Sequence, residues 1–150
     1  GDRLEGNTLC MDGKIDINFY MNLPDKVVND SGAYMEFTMP DGCVSKKMLS
    51  DARVTSDGLY VFSCGISPKQ MSDVISARII SNGFKGNIYT YSVKQYAESV
   101  FNAADGVYSE EEINAVKAML NYGAAAQQYF EYNTDNPDNS IMSEADRDDG

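Results

Sequence analysis

The sequence predicts an α+β fold, an antiparallel β-sandwich of immunoglobulin-like kind with six or seven strands, followed by two C-terminal helices packed on it. Three observations lead there. Over the first two thirds of the chain, apolar and polar residues alternate. Turn-forming runs such as Pro-Asp-Gly, Ser-Asp-Gly and Asn-Gly punctuate those stretches at short intervals. From Ser92 onward the apolar period lengthens to that of a helix, and each of two helical runs opens on a Ser followed three residues later by Gln or Glu.

Taken in order, Lys14 to Leu23 places Ile15, Ile17, Phe19, Met21 and Leu23 on one face and Asp16, Asn18, Tyr20 and Asn22 on the other, a half-buried strand. Ala33 to Met39 repeats the pattern, with Met35, Phe37 and Met39 opposite Tyr34, Glu36 and Thr38. Pro40-Asp41-Gly42 then turns the chain into a partner strand over Val44 to Leu49. Ser56-Asp57-Gly58 leads into Leu59 to Ile66, where Tyr60, Phe62, Cys64 and Ile66 share a face. Ser67-Pro68 breaks that run, and Pro68 to Ser72 suits a short helical turn. Asp73 to Ser81 aligns Ile75, Ala77 and Ile79, and Ile88 to Tyr91 closes the strand series.

The first helix starts at Ser92, with Gln95 completing a capping box, and carries Val93, Tyr96, Ala97, Val100 and Phe101 on one stripe to about Ala103. The second spans Ser109 to Tyr132. Ser109 and Glu112 form its capping box, and Glu110, Glu111 and Glu112 set negative charge against the positive end of its dipole. Its apolar positions are Ile113, Val116, Leu120, Gly123 and Phe130, widened by Met119, Tyr122, Ala126 and Tyr129 into a broad face expected to be buried. The small run Gly123 to Ala126 suggests a close backbone approach there, since a mid-helix Gly costs about 1 kcal/mol relative to Ala.

With 150 residues the chain suits one module over 1–139 and an acidic tail or linker over 140–150. The net charge of −11 is concentrated late, with seven acids against one Arg from Glu131 onward, and such a surface repels phosphate backbones and anionic membranes. No apolar run approaches the ~18 residues of a membrane span. No signal peptide opens the chain, so it is expected to be either cytosolic or a fragment cut from a longer secreted protein, and the abrupt ends GDRLEG and EADRDDG favour the fragment. Cys10, Cys43 and Cys64 form no CxxC and cannot all pair; they read as small buried hydrophobes, with one disulfide and a leftover thiol as the alternative.

The chain holds no histidine, which removes the usual base of Ser-His-Asp and Cys-His catalysis. Asp16 and Glu36 lie on polar strand faces rather than in a cleft, so no enzyme is expected. In NTDNPDN, Asp135, Asp138 and Asn139 offer oxygen ligands suited to calcium without EF-hand spacing; turn and helix-stop chemistry accounts for the same run more simply. No other cofactor is suggested. Tyr20, Tyr34, Tyr89 and Tyr91 fall on faces assigned to solvent and are the candidate binding residues, because a tyrosine ring can stack on a sugar or anchor a protein interface; the alternative is that the helices cover this face and bury those rings.

Two stretches, Tyr89 to Ala97 (YTYSVKQYA) and Lys117 to Asn139 (KAMLNYGAAAQQYFEYNTDNPDN), resemble a module repeated in large secreted and surface-anchored proteins of gut Clostridia, the Lachnospiraceae and Ruminococcaceae groups. DGKIDINFYMNLP and AYMEFTMPDG also fit its strand portion, so the likeness spans roughly residues 9 to 139. In that family the module sits beside leucine-rich repeats, immunoglobulin-like domains, cell-wall-binding repeats or dockerins, and it brings no catalytic residues with it. The resemblance implies a place on the exterior of a Gram-positive anaerobe, next to other domains of a parent surface protein. It also implies a role in display, adhesion or ligand binding. A host protein such as an immunoglobulin, or a glycan, would be the partner; a structural spacer in a surface stalk and a carbohydrate-binding domain are the alternatives.

Overall fold

The alternating runs form two antiparallel sheets in a computed structural model that describes residues 1–11 and 14–147. The chain divides into two units, Gly1–Gly65 with Val74–Tyr91, and Ile66–Asp73 with Ser92–Gly150. In the first, the strands in chain order are β1 (Arg3–Cys10), β2 (Ile15–Asn22), β3 (Tyr34–Thr38), β4 (Val44–Met48), β5 (Arg53–Val54), β6 (Tyr60–Ile66), β7 (Ile75–Ser81), β8 (Phe84–Lys85) and β9 (Tyr89–Tyr91). A one-turn helix, α1 (Asp25–Val28), follows Pro24 and buries Val27. One sheet runs β1-β2-β6-β5, the other β4-β3-β7, with β8 and β9 sharing the far side of β7 at Ile80–Ser81 and Ile75–Ala77.

The period of two determines which side chains meet. Ile17, Phe19 and Met21 of β2 are fully buried, as are Met35 and Phe37 of β3 and Ile75 and Ile79 of β7. Met35 lies opposite Ile79 and Phe37 opposite Ala77, so β3 and β7 present one continuous apolar face. The Phe19 and Phe37 rings, one from each sheet, stand 5.5 Å apart at 45°, which makes the two faces a sandwich core. Each such side chain contributes roughly 1.5–3 kcal/mol by leaving water.

All six strands read from the sequence are present, and three are added. β5 and β8 have two residues each, too few to show a period. β1 is half-buried at Leu4, Gly6, Asn7 and Leu9 and exposed between them, and its register with β2 shifts between Leu4 and Gly6, so its sequence carries no clean alternation. β4 is an exposed edge strand, and Lys46 and Lys47 on it discourage pairing with another chain. The turn before it works as its residues suggest, with Gly42 at φ 89° and Asp41 accepting the Cys43 N–H at 2.9 Å. Only Cys64 is a buried hydrophobe; Cys10 and Cys43 are exposed, and all three thiols are free, contrary to the expectation that all three pack inside. Cys43 lies between the Asp41-Gly42 turn and the exposed strand β4, and Cys10 ends β1 at an exposed position.

In the second unit, α2 (Val93–Phe101) is capped by Ser92, whose Oγ accepts the Gln95 N–H at 3.0 Å, and buries Val93, Lys94, Ala97 and Val100. α3 (Glu110–Phe130) begins with the full capping box, the Glu112 N–H to Ser109 Oγ and the Ser109 N–H to Glu112 Oε1, both at 3.0 Å. It packs on a 3-10 turn at Pro68–Gln70 and touches α2. Its buried stripe is Val116, Leu120, Gly123 and Gln127. The stripe is narrower than expected: Tyr122, Tyr129 and Phe130 are 66%, 82% and 59% exposed, and the place expected for Phe130 is taken by Gln127 at 1%. α3 breaks at Phe130 because the chain there must turn back over its own last turns, a path fixed by Gln127 rather than by an apolar contact. Beyond it, Met142 is buried, Lys117 Nζ lies 3.1 Å from the Asp146 carboxylate, and Asn121 Nδ2 donates to the Asp146 carbonyl at 3.0 Å. Within the expected 140–150 tail, Met142 is thus covered and Asp146 is tied to α3, and 148–150 fall outside the described residues. No helix among the described residues is long and apolar enough to cross a membrane.

Candidate functional site

The four tyrosines named from the sequence do not form an open platform. All four are half-buried. In the first unit Tyr20 accepts a hydrogen bond from Thr8 Oγ1 at 3.1 Å, and Lys46 Nζ sits 4.7 Å above the Tyr34 ring. Tyr89 donates its hydroxyl to the Asp2 carbonyl at 3.1 Å, with burial raising its pKa. Tyr91 lies on β9 opposite Ile75. Cross-strand and terminal neighbours thus occupy hydroxyls or ring faces that the alternation had assigned to solvent.

The proposed calcium ligands also part company. Asp135 is exposed, Asn139 Nδ2 donates to Asn121 Oδ1 at 3.0 Å, and Asp138 is fully buried, with Oδ1 accepting from Ser72 Oγ at 2.6 Å. Among the described residues no three acids or cysteines come together as a metal would require. The cause is the helix end: Glu131 and Asn133 take left-handed conformations, at φ 51° and 48°, and the loop folds back over α3 instead of wrapping around a central point.

What holds that loop is Gln127. Its Nε2 donates to the Asn133 carbonyl at 3.1 Å and the Asn136 carbonyl at 3.0 Å, and its Oε1 accepts the Asp138 N–H at 2.7 Å. Its own carbonyl takes the Tyr132 N–H at 2.9 Å. Lys94, only 8% exposed, donates Nζ to Asn136 Oδ1 at 2.7 Å and to the Pro137 carbonyl at 2.8 Å. Asp73 accepts from the Tyr132 hydroxyl and, at 3.3 Å, from Asn133 Nδ2. Gly123 leaves the space: a Cβ there would lie 2.2 Å from Asp138 Oδ2 and 2.9 Å from the Pro68 carbonyl. Within KAMLNYGAAAQQYFEYNTDNPDN, Gly123, Gln127, Tyr132, Asn133, Asn136 and Asp138 thus fasten the loop to the helix that precedes it. Burial pushes the Asp138 carboxyl up to about 6 against the pull of the Ser72 hydroxyl and the Lys94 charge, and burial lowers the Lys94 pKa.

Two surface features remain. In the first unit a depression of about 370 Å³ is lined by Lys26, Asn29, Asp30, Ser81, Asn82 and Phe84 among others. Its carboxylate is committed to Ser81 Oγ, the Asn82 N–H and the Gly32 N–H, which hold Asp30 below the ordinary carboxylate range, and Lys26 Nζ sits 4.3 Å above the Phe84 ring. In the second unit the outward face of α3 carries Ala115, Ala118, Tyr122, Ala125 and Tyr129, all exposed, at alternating three- and four-residue spacing. Phe130 extends it, edge-on to Tyr129 with centroids 4.9 Å apart, and Lys69 Nζ lies 5.0 Å from the Phe130 ring and 5.1 Å from that of Tyr132. The three-four spacing of Ala115, Ala118, Tyr122, Ala125 and Tyr129 was available in the sequence, but the broad-face reading assigned Tyr122 and Tyr129 to the core. No protein-family model matches this chain, and no curated protein or solved structure matches it.

Proposed function

We propose that this chain is a non-catalytic adhesion or ligand-binding module of a bacterial cell-surface protein, and that it binds through the outward face of α3. The supporting observation is the uncharged seam Ala115, Ala118, Tyr122, Ala125 and Tyr129, exposed along α3 of a chain whose net charge is −11. Exposed aromatic residues flanked by small ones provide rigid contact area at low entropic cost, the composition of interface anchors. A host protein such as an immunoglobulin is the proposed partner, engaged through an apolar surface or helix of its own.

The test is capture of the chain on immobilised immunoglobulin and on mucin-type glycans, comparing wild type with the pair Tyr122→Ser and Tyr129→Ser. Retention by immunoglobulin that the double variant loses supports the reading. Retention by glycans alone favours a carbohydrate-binding domain, and retention by neither favours a spacer in a surface stalk. The spacer reading draws on one observation of its own: Gln127, Asn133, Asn136 and Asp138 are all consumed in fastening their own loop.

A further inference from the structure

The loop after α3 closes over a carboxylate that it only half satisfies. Asp138 is 0% exposed; its carboxylate takes the Ser72 hydroxyl on Oδ1 and is also held by the Ser72 backbone N–H, while Oδ2 has no hydrogen-bond partner among the described residues. The nearest cation, Lys94, spends its ammonium on Asn136 Oδ1 and the Pro137 carbonyl and steadies the carboxylate only through space. The other elements around Asp138 do not supply the missing donor. The Ile66–Asp73 segment brings Asp73, a second acid whose charge opposes an anion at Asp138, and Lys69, which is turned onto the Phe130 and Tyr132 rings. α3 brings the neutral Gly123 and Gln127, the latter with its side-chain bonds already placed on the loop backbone. From the loop, the Tyr132 hydroxyl goes to Asp73. An anion with one bare oxygen away from water is costly, and a proton on that oxygen removes the charge.

We propose that Asp138 is a proton-operated latch: it takes up a proton as the surroundings pass from neutral to mildly acidic, and the loop is fastened more firmly on α3 in the acid form. The direction follows from the position of its titration. The folded carboxyl titrates at about 6, above the ordinary 3.8, so the stabilisation is complete below the lower value and lost as pH rises through the upper one. Between pH 7 and pH 5 the folding equilibrium gains about tenfold from this one group. Asp30 and Asp146 are shifted the other way, and what they contribute is lost only below the ordinary carboxylate range, outside this interval.

Two measurements on the full chain test it. Carboxyl carbon NMR should show Asp138 titrating near 6, and Ser72→Ala, which removes the hydroxyl donor and leaves the Ser72 backbone N–H, should move that midpoint upward. Denaturant unfolding at pH 7 and pH 5 should show wild type gaining about tenfold more in its folding constant than Asp138→Asn, whose amide mimics the protonated group. A midpoint at or below 4, or equal gains for wild type and Asp138→Asn, overturns the proposal. Should Asp138→Asn fail to fold, the carboxyl titration of wild type decides alone.

Discussion

Phe19 and Phe37 meet in the first unit among Ile17, Met21, Met35 and Ile79, side chains that ask nothing of one another except contact, whereas in the second unit Gln127, Asp138 and Lys94 are buried on condition that each finds a stated partner. The difference is in how damage spreads. An apolar core loses stability in proportion to the atoms removed, because dispersion and dehydration accumulate contact by contact. A buried polar clamp instead fails by whole bonds, since each group left without a partner costs about 1–3 kcal/mol of desolvation.

The largest effect should come from the apolar side. Phe19→Ala ought to cost about 4 kcal/mol in denaturant unfolding, through lost burial and the cavity left facing Phe37. A cost below about 1 kcal/mol would mean the two sheets do not share that contact. Next, Gly123→Ala should cost about 3 kcal/mol, because its Cβ would lie 2.2 Å from Asp138 Oδ2 and the loop would have to leave its seat; unchanged unfolding would place the loop elsewhere. Gln127→Leu, close in volume, should cost about 2–3 kcal/mol by stranding two carbonyls and an N–H, and faster amide exchange over 131–139 would distinguish it from a plain packing defect. If Gln127→Leu were neutral, the second unit would behave like the first and the contrast would fall. The smallest effect belongs to the seam: Tyr129→Ala should shift stability by no more than about 0.5 kcal/mol, and a larger loss would show that this ring is packed in solution.

This contrast also explains which parts of the fold were legible in the residues. Strands such as β2 and β7 were readable because burial on one face imposes a period of two that survives in the sequence. The capping box of α3 was readable because Ser109 and Glu112 act within one turn of each other, whereas at α2 Ser92 caps the Gln95 N–H without the reciprocal side-chain bond expected of a box. The Gln127 clamp was not, since its partners at 133, 136 and 138 contact it only after Glu131 and Asn133 adopt left-handed conformations that no local period announces. For the same reason NTDNPDN could be read as a ligand loop: its oxygens are those of a calcium site, but their directions are set by Gln127, Lys94 and Ser72. Tyr122 and Tyr129 failed for a different reason, because a helix with apolar residues on two faces has a sequence that does not say which face the protein covers.

All three thiols lie in the first unit, and none occurs in the segments of the second. Cys10 and Cys43 are open to solvent, while Cys64 is buried with its thiol pushed up to about 11, which holds it protonated and unreactive in the native state. A maleimide pulse should therefore label two sites on the native chain and reach the third only when the sandwich opens. Counting the mass of one added label reports the opening of the first unit alone, and so gives a chemical clock for its unfolding that is blind to the helices.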